Sequence, residues 1–344
     1  MTVWWLLLTA FAVSWALTLL LRHYALVKSL MDIPNERSSH SIPTPRGGGV
    51  AIVVSFLLAL PVLAGLDLIS PVAFYSLLGS SLLVALIGFV DDHGHIAARW
   101  RLLGHFIAAA WALFWLNGLP SIELFGISTD LGWIGNILAL VYLVWMLNLY
   151  NFMDGIDGLA SAEVISVCLG MCLVYWFSGN AELMWLPLIL SAAVAGFLWW
   201  NFPPARIFMG DAGSGFLGIV LGVLAVQAAG SSPELFWSWI ILFGVFVVDA
   251  TWTLVQRLVR GDKIYEAHRS HAYQHATDLF KHHVVVTLSV VAINVFFLLP
   301  LALLVGRGWL SGSLGVLLAY FPLMILVWKL KAGIPIDKLS SRSL

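Results

Sequence analysis

The chain has 344 residues, of which 61% are hydrophobic and only 10% charged, with a formal net charge of −1. A soluble domain runs near 25% charged, so a soluble globular fold is strongly disfavoured, and no nucleic-acid partner is expected. The apolar residues fall in blocks of the length a helix needs to cross a bilayer, and the chain reads as one all-α, polytopic membrane domain, 1–344.

In chain order, eleven spans are predicted near 3–21, 47–66, 70–90, 101–117, 131–150, 158–178, 183–200, 213–229, 235–256, 284–305 and 309–328. The first lacks a basic lead-in and a small-residue cleavage site, so it is expected to be retained rather than removed as a signal peptide. The segment 118–131 between two spans is expected to form a short strand or hairpin. Cys168 and Cys172, four apart in one span, read as buried small hydrophobes rather than a disulfide or thiolate site.

Lys and Arg set the expected orientation. With the N-terminus outside, of the 17 Lys and Arg only Arg307 falls in an outer segment. The inner set runs from Arg22 through Arg37, Arg99 and Arg101 to Lys338 and Arg342, which places the C-terminus inside. The acids Asp91, Asp92, Asp154, Asp157 and Asp211 and the ten histidines lie in or near the same inner segments. A transporter buries polar groups near the midplane, whereas gathering at one interface points to a cytoplasm-facing site. A secondary transporter of an anionic solute is the alternative.

Four stretches carry the chemistry. In "GFVDDHGH", Asp91 and Asp92 end the third span, where the helix dipole disfavours acids. A divalent or substrate cation would offset that; a solvated acid pair is the plain alternative. In "LNLYNFMDGIDGLA", Asn148, Asn151 and Asp154 repeat at spacing three and share a helix face, while Gly155 and Gly158 bracket a turn around Asp157. Simple capping and turning of a helical hairpin accounts for Asp157 and the glycines but not for that face.

In "NFPPARIFMGDAGSGFLG", Asn201 ends the seventh span before Pro203-Pro204. Gly210, Gly213 and Gly215 surround Asp211 at the start of the eighth, an expected anion cradle. In "YEAHRSHAYQH", His268, Arg269 and His271 are donors suited to phosphate oxygens; a zinc site there lacks the supporting cysteines or HExxH spacing. Asp249, inside the ninth span, needs a polar loop or another helix as partner.

The ordered set "GFVDD", "NLYNFMDGIDGLA", "NFPPARIFMGDAGS" and "HRSHAYQ" resembles the polyprenyl-phosphate N-acetylhexosamine-1-phosphate transferases, a family that includes the muramoyl-pentapeptide translocase. The resemblance covers about 30–275. It implies a bacterial inner-membrane enzyme in which a polyprenyl (undecaprenyl) phosphate attacks the β-phosphate of a UDP-sugar and UMP leaves, as the first membrane step of an O-antigen-like polysaccharide. A UDP-N-acetylhexosamine or a 6-deoxy relative is the implied donor, the membrane lipid is a partner, and a homodimer is an admissible assembly.

By motif, the resemblance implies that Asp211 and Asn151 hold Mg2+, with Mn2+ an admissible substitute. Asp91 and Asp92 face the lipid phosphate, with Asp91 as base, and Asp154 is a second acid of the cleft. Asp157, Asn201 and Phe208 belong to the nucleoside site, Phe208 stacking on uracil, and Asn148 joins the substrate-binding face. His268, Arg269 and His271 donate to phosphates or sugar. The family's proline-threonine-glycine loop corresponds to "IPTPRGGG", through Thr44, Gly47 and Gly48. Where the muramoyl branch has consecutive histidines this chain has His-Arg-Ser-His, which argues against a peptidoglycan precursor as substrate.

Overall fold

The structure, a computed structural model, describes residues 3–34, 42–94, 96–263 and 268–335. Arg37, Lys338, Arg342 and the chain end at Leu344, which enter the orientation reading, lie outside the described residues. Helices form wherever the sequence offers a long apolar run: α1 (Trp5–Val27), α2 (Val50–Gly65), α3 (Pro71–His93), α4 (Ala98–Leu116), α5 (Gly132–Met153), α6 (Leu159–Ser178) and α7 (Trp185–Asn201). They continue as α8 (Asp211–Ala229), α9 (Pro233–Leu242), α10 (Gly244–Val259), α11 (Ala272–Phe280), α12 (His283–Ile293), α13 (Leu299–Gly306) and α14 (Gly312–Lys329).

Every one of the predicted spans is helical. Among the described residues, 8 helices are long and apolar enough to cross a bilayer, or up to 9 where the bent pair counts as one span. α2 has only 16 residues, and α4 opens on Arg99 and Arg101. The predicted span 235–256 is built of α9 and α10, which pass together as a span and are bent by 67°. α10 carries Asp249, Gln256 and Arg257, and the bend gives this polar half its own direction.

Two small antiparallel pairs complete the fold. β1 (Met31–Asp32) pairs with β2 (Thr44–Pro45), and β3 (Ile122–Leu124) with β4 (Ile127–Thr129), the expected hairpin of 118–131. Trp237 Nε1 donates to Glu123 O at 2.8 Å and pins that hairpin to α9.

α8 is the central helix: of its 19 residues only Asp211 and Gln227 are not buried. It can be central because it is narrow. A Cβ on Gly218 would strike the backbone of Met146 and Leu147 on α5, and one on Gly88 of α3 would lie 2.6 Å from Ala212 Cα. Small residues let membrane helices approach to backbone contact, where packing rather than the hydrophobic effect holds them together. α3 and α5 therefore clasp α8 with their inner ends beside its N-terminus. Cys168 and Cys172 are buried and free, as expected.

Candidate active site at one end of the bundle

The end of α3, the start of α4, the α5–α6 turn and the start of α8 meet at one end of the bundle. Asp92 turns its carboxylate onto the first turn of α8, accepting from the Asp211 N–H at 3.1 Å and the Ala212 N–H at 3.2 Å. Gly210 permits this: its φ is +80°, and a Cβ would sit 2.8 Å from Asp92 Oδ2. The expected anion cradle exists, but this chain's own Asp92 fills it. Asp92 is buried and its backbone carbonyl takes Arg46 Nη2 at 2.6 Å. Asp92 thus caps α8.

Asp91 is likewise engaged. Its Oδ1 accepts the Ile96 N–H at 2.9 Å, and its Oδ2 is ion-paired with Arg101. Arg101 Nη1 also lies 3.6 Å from Asp211 Oδ2. The adverse dipole at the end of α3 is thus offset by protein groups: the positive N-terminus of α8 for Asp92 and Arg101 for Asp91. Both Asp91 oxygens are therefore engaged, and a carboxylate so paired is a weak proton acceptor. Asp211 is the exposed member of the group, with a side chain 36% accessible against 8% for Asp91.

Asn151 faces Asp211 across Ser214, whose hydroxyl donates to Asn151 Oδ1 at 2.8 Å. Asp154 ends α5 one turn on. Burial, and then the carboxylates of Asp211, Asp92 and Asp157, push its carboxyl well above the usual range. Among the described residues it receives neither a hydrogen bond nor an ion pair, unlike Asp91, Asp92, Asp157 and Asp211. Asn148, on the same helix face, folds its amide back onto Val144 O at 2.7 Å.

The expected nucleoside residues divide. Asp157 accepts the Ala205 N–H at 2.9 Å and lies 3.3 Å from His283 Nδ1. Asn201 is buried; its Oδ1 accepts the Gly158 N–H at 3.1 Å and its Nδ2 donates to Ile207 O at 3.0 Å. Both ends of that carboxamide tie the 155–158 turn to the 202–207 loop. Phe208 is half-buried. Its backbone ties the loops together, N–H to Pro45 O at 2.8 Å and O from Gly48 N–H at 2.9 Å.

That strand-like contact brings the Thr44–Gly48 loop to the site. Thr44 is buried and bonds Ile42 O at 3.0 Å. Gly47, at φ +91°, faces open space, whereas a Cβ on Gly48 would meet Phe197 at 2.7 Å.

The His268–His271 segment is held by Asp249, which accepts from Ala272 N–H at 2.9 Å and Tyr273 N–H at 3.0 Å and lies 3.2 Å from His271 Nδ1. The partner sought for Asp249 is therefore the first turn of α11. Tyr273 Oη donates to Phe152 O at 3.1 Å, which seats this segment on the end of α5 beside Asp154. His268 is pushed down to about 3 by burial and by the nearby His271 and Arg257, so its imidazole is neutral. Arg269 is paired with Asp278 at 2.6 Å.

In the sequence Arg101 and Arg46 counted only as orientation charges, Ser214 only as a neighbour of Asp211 in the glycine cradle, and Tyr273 not at all. The signal for Arg101 was available: a cation on the first turn of the span following an acid pair.

These geometries define an integral membrane protein with an oxygen-rich acidic cleft at one end of a helical bundle. Residues 74–229 match the family described as glycosyl transferase family 4. The chain is 27% identical to the probable undecaprenyl-phosphate N-acetylglucosaminyl 1-phosphate transferase of Bacillus subtilis, over 75% of this chain and 72% of that one. It is 32% identical to the decaprenyl-phosphate N-acetylglucosaminephosphotransferase of Mycolicibacterium smegmatis, over 65% and 58%. It is also 34% identical to the phospho-N-acetylmuramoyl-pentapeptide-transferase of Moorella thermoacetica, over 62% and 69%. The chain belongs to the polyprenyl-phosphate hexosamine-1-phosphate transferase family.

Proposed function

We propose that the protein transfers an N-acetylhexosamine 1-phosphate, or that of a 6-deoxy relative, from a UDP-sugar to undecaprenyl phosphate at the inner face of a bacterial cytoplasmic membrane. An acceptor phosphate oxygen bonds to the β-phosphorus, the bond from that phosphorus to the bridging oxygen breaks, and UMP departs with the bridging oxygen. The product begins an O-antigen-like surface polysaccharide. The observation that carries this reading is the convergence of Asp211, Asn151 and Asp154 at the membrane end of the bundle. The N-terminus lies outside and the C-terminus inside, as the cation bias supports.

Asp211 and Asn151 fit a magnesium ion: a carboxylate about one-third accessible, at 36%, and a carboxamide oxygen held by Ser214 are hard-oxygen donors. Among the described residues no group of three His, Cys, Asp or Glu could hold a metal. This accords with a cation that takes one or two protein ligands and completes its shell with water and phosphate. When bound, such an ion neutralises diphosphate charge and steadies the leaving phosphate.

The chain's own groups do the rest. Arg101 balances Asp91 and Asp211, so two anionic substrates are not met by unopposed carboxylates. Asp154 is the second acid of the cleft, set beside Asp211, Asp92 and Asp157. The 42–49 and 202–210 loops and the α11 segment wall the cleft. A through-membrane transporter is disfavoured because central α8 offers one polar side chain, Ser214, from Ala212 to Val226.

The test is UMP release by purified protein given undecaprenyl phosphate, magnesium and UDP-N-acetylglucosamine or UDP-N-acetylfucosamine. Wild type should release UMP only with acceptor present, and folded Asp211→Asn should lose at least about 100-fold. Release that is independent of the acceptor, or intact in the variant, refutes the reading.

A further inference from the structure

Glu163 sits on the second turn of α6, sealed in the bundle at 0% exposure. Its Oε2 accepts an N–H from Asn294 Nδ2 at 2.6 Å, and the same Nδ2 reaches Ser166 Oγ at 2.9 Å. Asn294 is 1% exposed and opens the π turn Asn294–Leu298 that follows α12. The remaining oxygens of the two groups, Glu163 Oε1 and Asn294 Oδ1, are both buried and have no hydrogen-bond partner among the described residues.

The surroundings offer no counter-charge. Tyr150 on α5 faces Glu163 with a hydroxyl that is itself unpartnered. Cys168, one turn further along α6, is a buried neutral thiol beside Tyr150. Among the described residues no Lys, Arg or His is ion-paired with Glu163, and Asn294 is its hydrogen-bond partner.

An ionised Glu163 would leave a bare carboxylate oxygen in a dry interior next to a bare amide oxygen, and both need a donor. One proton satisfies both. A carboxylic acid and a carboxamide are complementary face to face: the amide N–H meets the acid C=O, and the acid O–H meets the amide C=O. We propose that Glu163 carries a proton in the native protein and closes a cyclic acid–amide pair with Asn294, Oε1–H donating to Oδ1.

The pair is a positioning device for the cleft. α6 and α12 are already tied at their inner ends, where Asp157 lies 3.3 Å from His283 Nδ1 and Thr287 Oγ1 donates to Asp157 O at 3.1 Å. Glu163 and Asn294 tie the same two helices deeper in the bundle. The π turn, in which the Leu299 N–H bonds Asn294 O, places an irregular turn at this tie, a common feature of functional positions. Two ties on one helix pair hold the turn from Asp154 to Gly158 at a fixed height.

The proton is tested by infrared difference spectroscopy of purified wild type against Glu163→Gln, a readout that needs no turnover and so stands apart from the proposed reaction. Wild type should show a protonated-carboxyl carbonyl band that Glu163→Gln lacks. Glutamine reproduces both hydrogen bonds, so this variant should keep the wild-type melting temperature at neutral pH and gain on wild type as pH rises. Glu163→Ala and Asn294→Leu should both melt lower. Absence of the band, or a Glu163→Gln variant that is as unstable as Glu163→Ala or fails to fold, overturns the proposal. So does stabilisation of wild type alone by added sodium, which would assign the two oxygens to a cation.

Discussion

Asp92 reaches Asp211 through the backbone: its Oδ1 accepts the Asp211 N–H at 3.1 Å, so an acid ending one membrane helix caps the helix that presents the exposed acid of the cleft. The two residues look equivalent in sequence and have opposite duties. Truncating Asp92 to Ala leaves the Asp211 and Ala212 amides unpaired next to Gly210. That should cost about 1–3 kcal/mol, the range for charge-assisted caps, and lower the melting temperature by several degrees. Asp92→Asn keeps one acceptor and should lose less. Asp211→Ala removes no such bond and should melt near wild type. Tryptophan-fluorescence melts of the three variants check this; equal melting of Asp92→Ala and Asp211→Ala would remove the capping role.

Asp154 gives a pH signature. Its carboxyl is raised in the folded chain by burial, then by Asp211, Asp92 and Asp157, while the unfolded value is the ordinary one, about 3.9. Between these values the native state binds the extra proton. The stability gained is therefore full below the unfolded value and lost as pH rises through the folded one. Asp154→Asn, neutral in both states, should thus melt like wild type near pH 4 and increasingly above it toward pH 8. Melting curves of both proteins across that range decide; a constant gap would mean that Asp154 is not titrating in the native cleft.

What could be read from the sequence was demand, not supply. Two acids at the end of α3 plainly needed an opposing charge, and the need was visible because a helix C-terminus repels them. Their partners, the first turn of α8 for Asp92 and Arg101 for Asp91, are chosen by packing between segments as much as 120 residues apart. Asp249 posed the same problem and found its answer in the amides that open α11. The apolar blocks and the clustering of acids at one end were legible because hydrophobic length and charge are local properties. The bend between α9 and α10 was not, since 235–256 has the length and apolar content of one span despite Asp249.

The Asp249 cap makes a separate prediction about the loop before α11. Asp249→Ala leaves the Ala272 and Tyr273 amides and the His271 ring without their acceptor, while α10 remains packed against α14 and α5. Amide exchange should speed up across 268–280 by about 10-fold or more, corresponding to roughly 1.4 kcal/mol or more of lost local stability, with little change in α8. Exchange followed by mass spectrometry resolves the two regions, and uniform acceleration would instead mean global loosening.

Arg101 competes with any cation at Asp211. Its Nη1 is 3.6 Å from Asp211 Oδ2, and both side chains are about one-third accessible, 33% and 36%. Solvent screens such a pair to about 1 kcal/mol or less, which corresponds to at most a ~5-fold effect on an equilibrium. Arg101→Gln removes the rival charge and frees Asp91, which Arg101 also holds. Divalent-ion affinity should therefore rise a few-fold even as turnover falls, because the same substitution removes the positive charge that anionic substrates meet. Manganese titration followed by electron paramagnetic resonance measures the first effect without substrate, and UMP release measures the second. Weaker manganese binding in Arg101→Gln would show that the arginine organises the carboxylates for the ion more than it opposes it, reversing the sign of the coupling between Arg101 and Asp211.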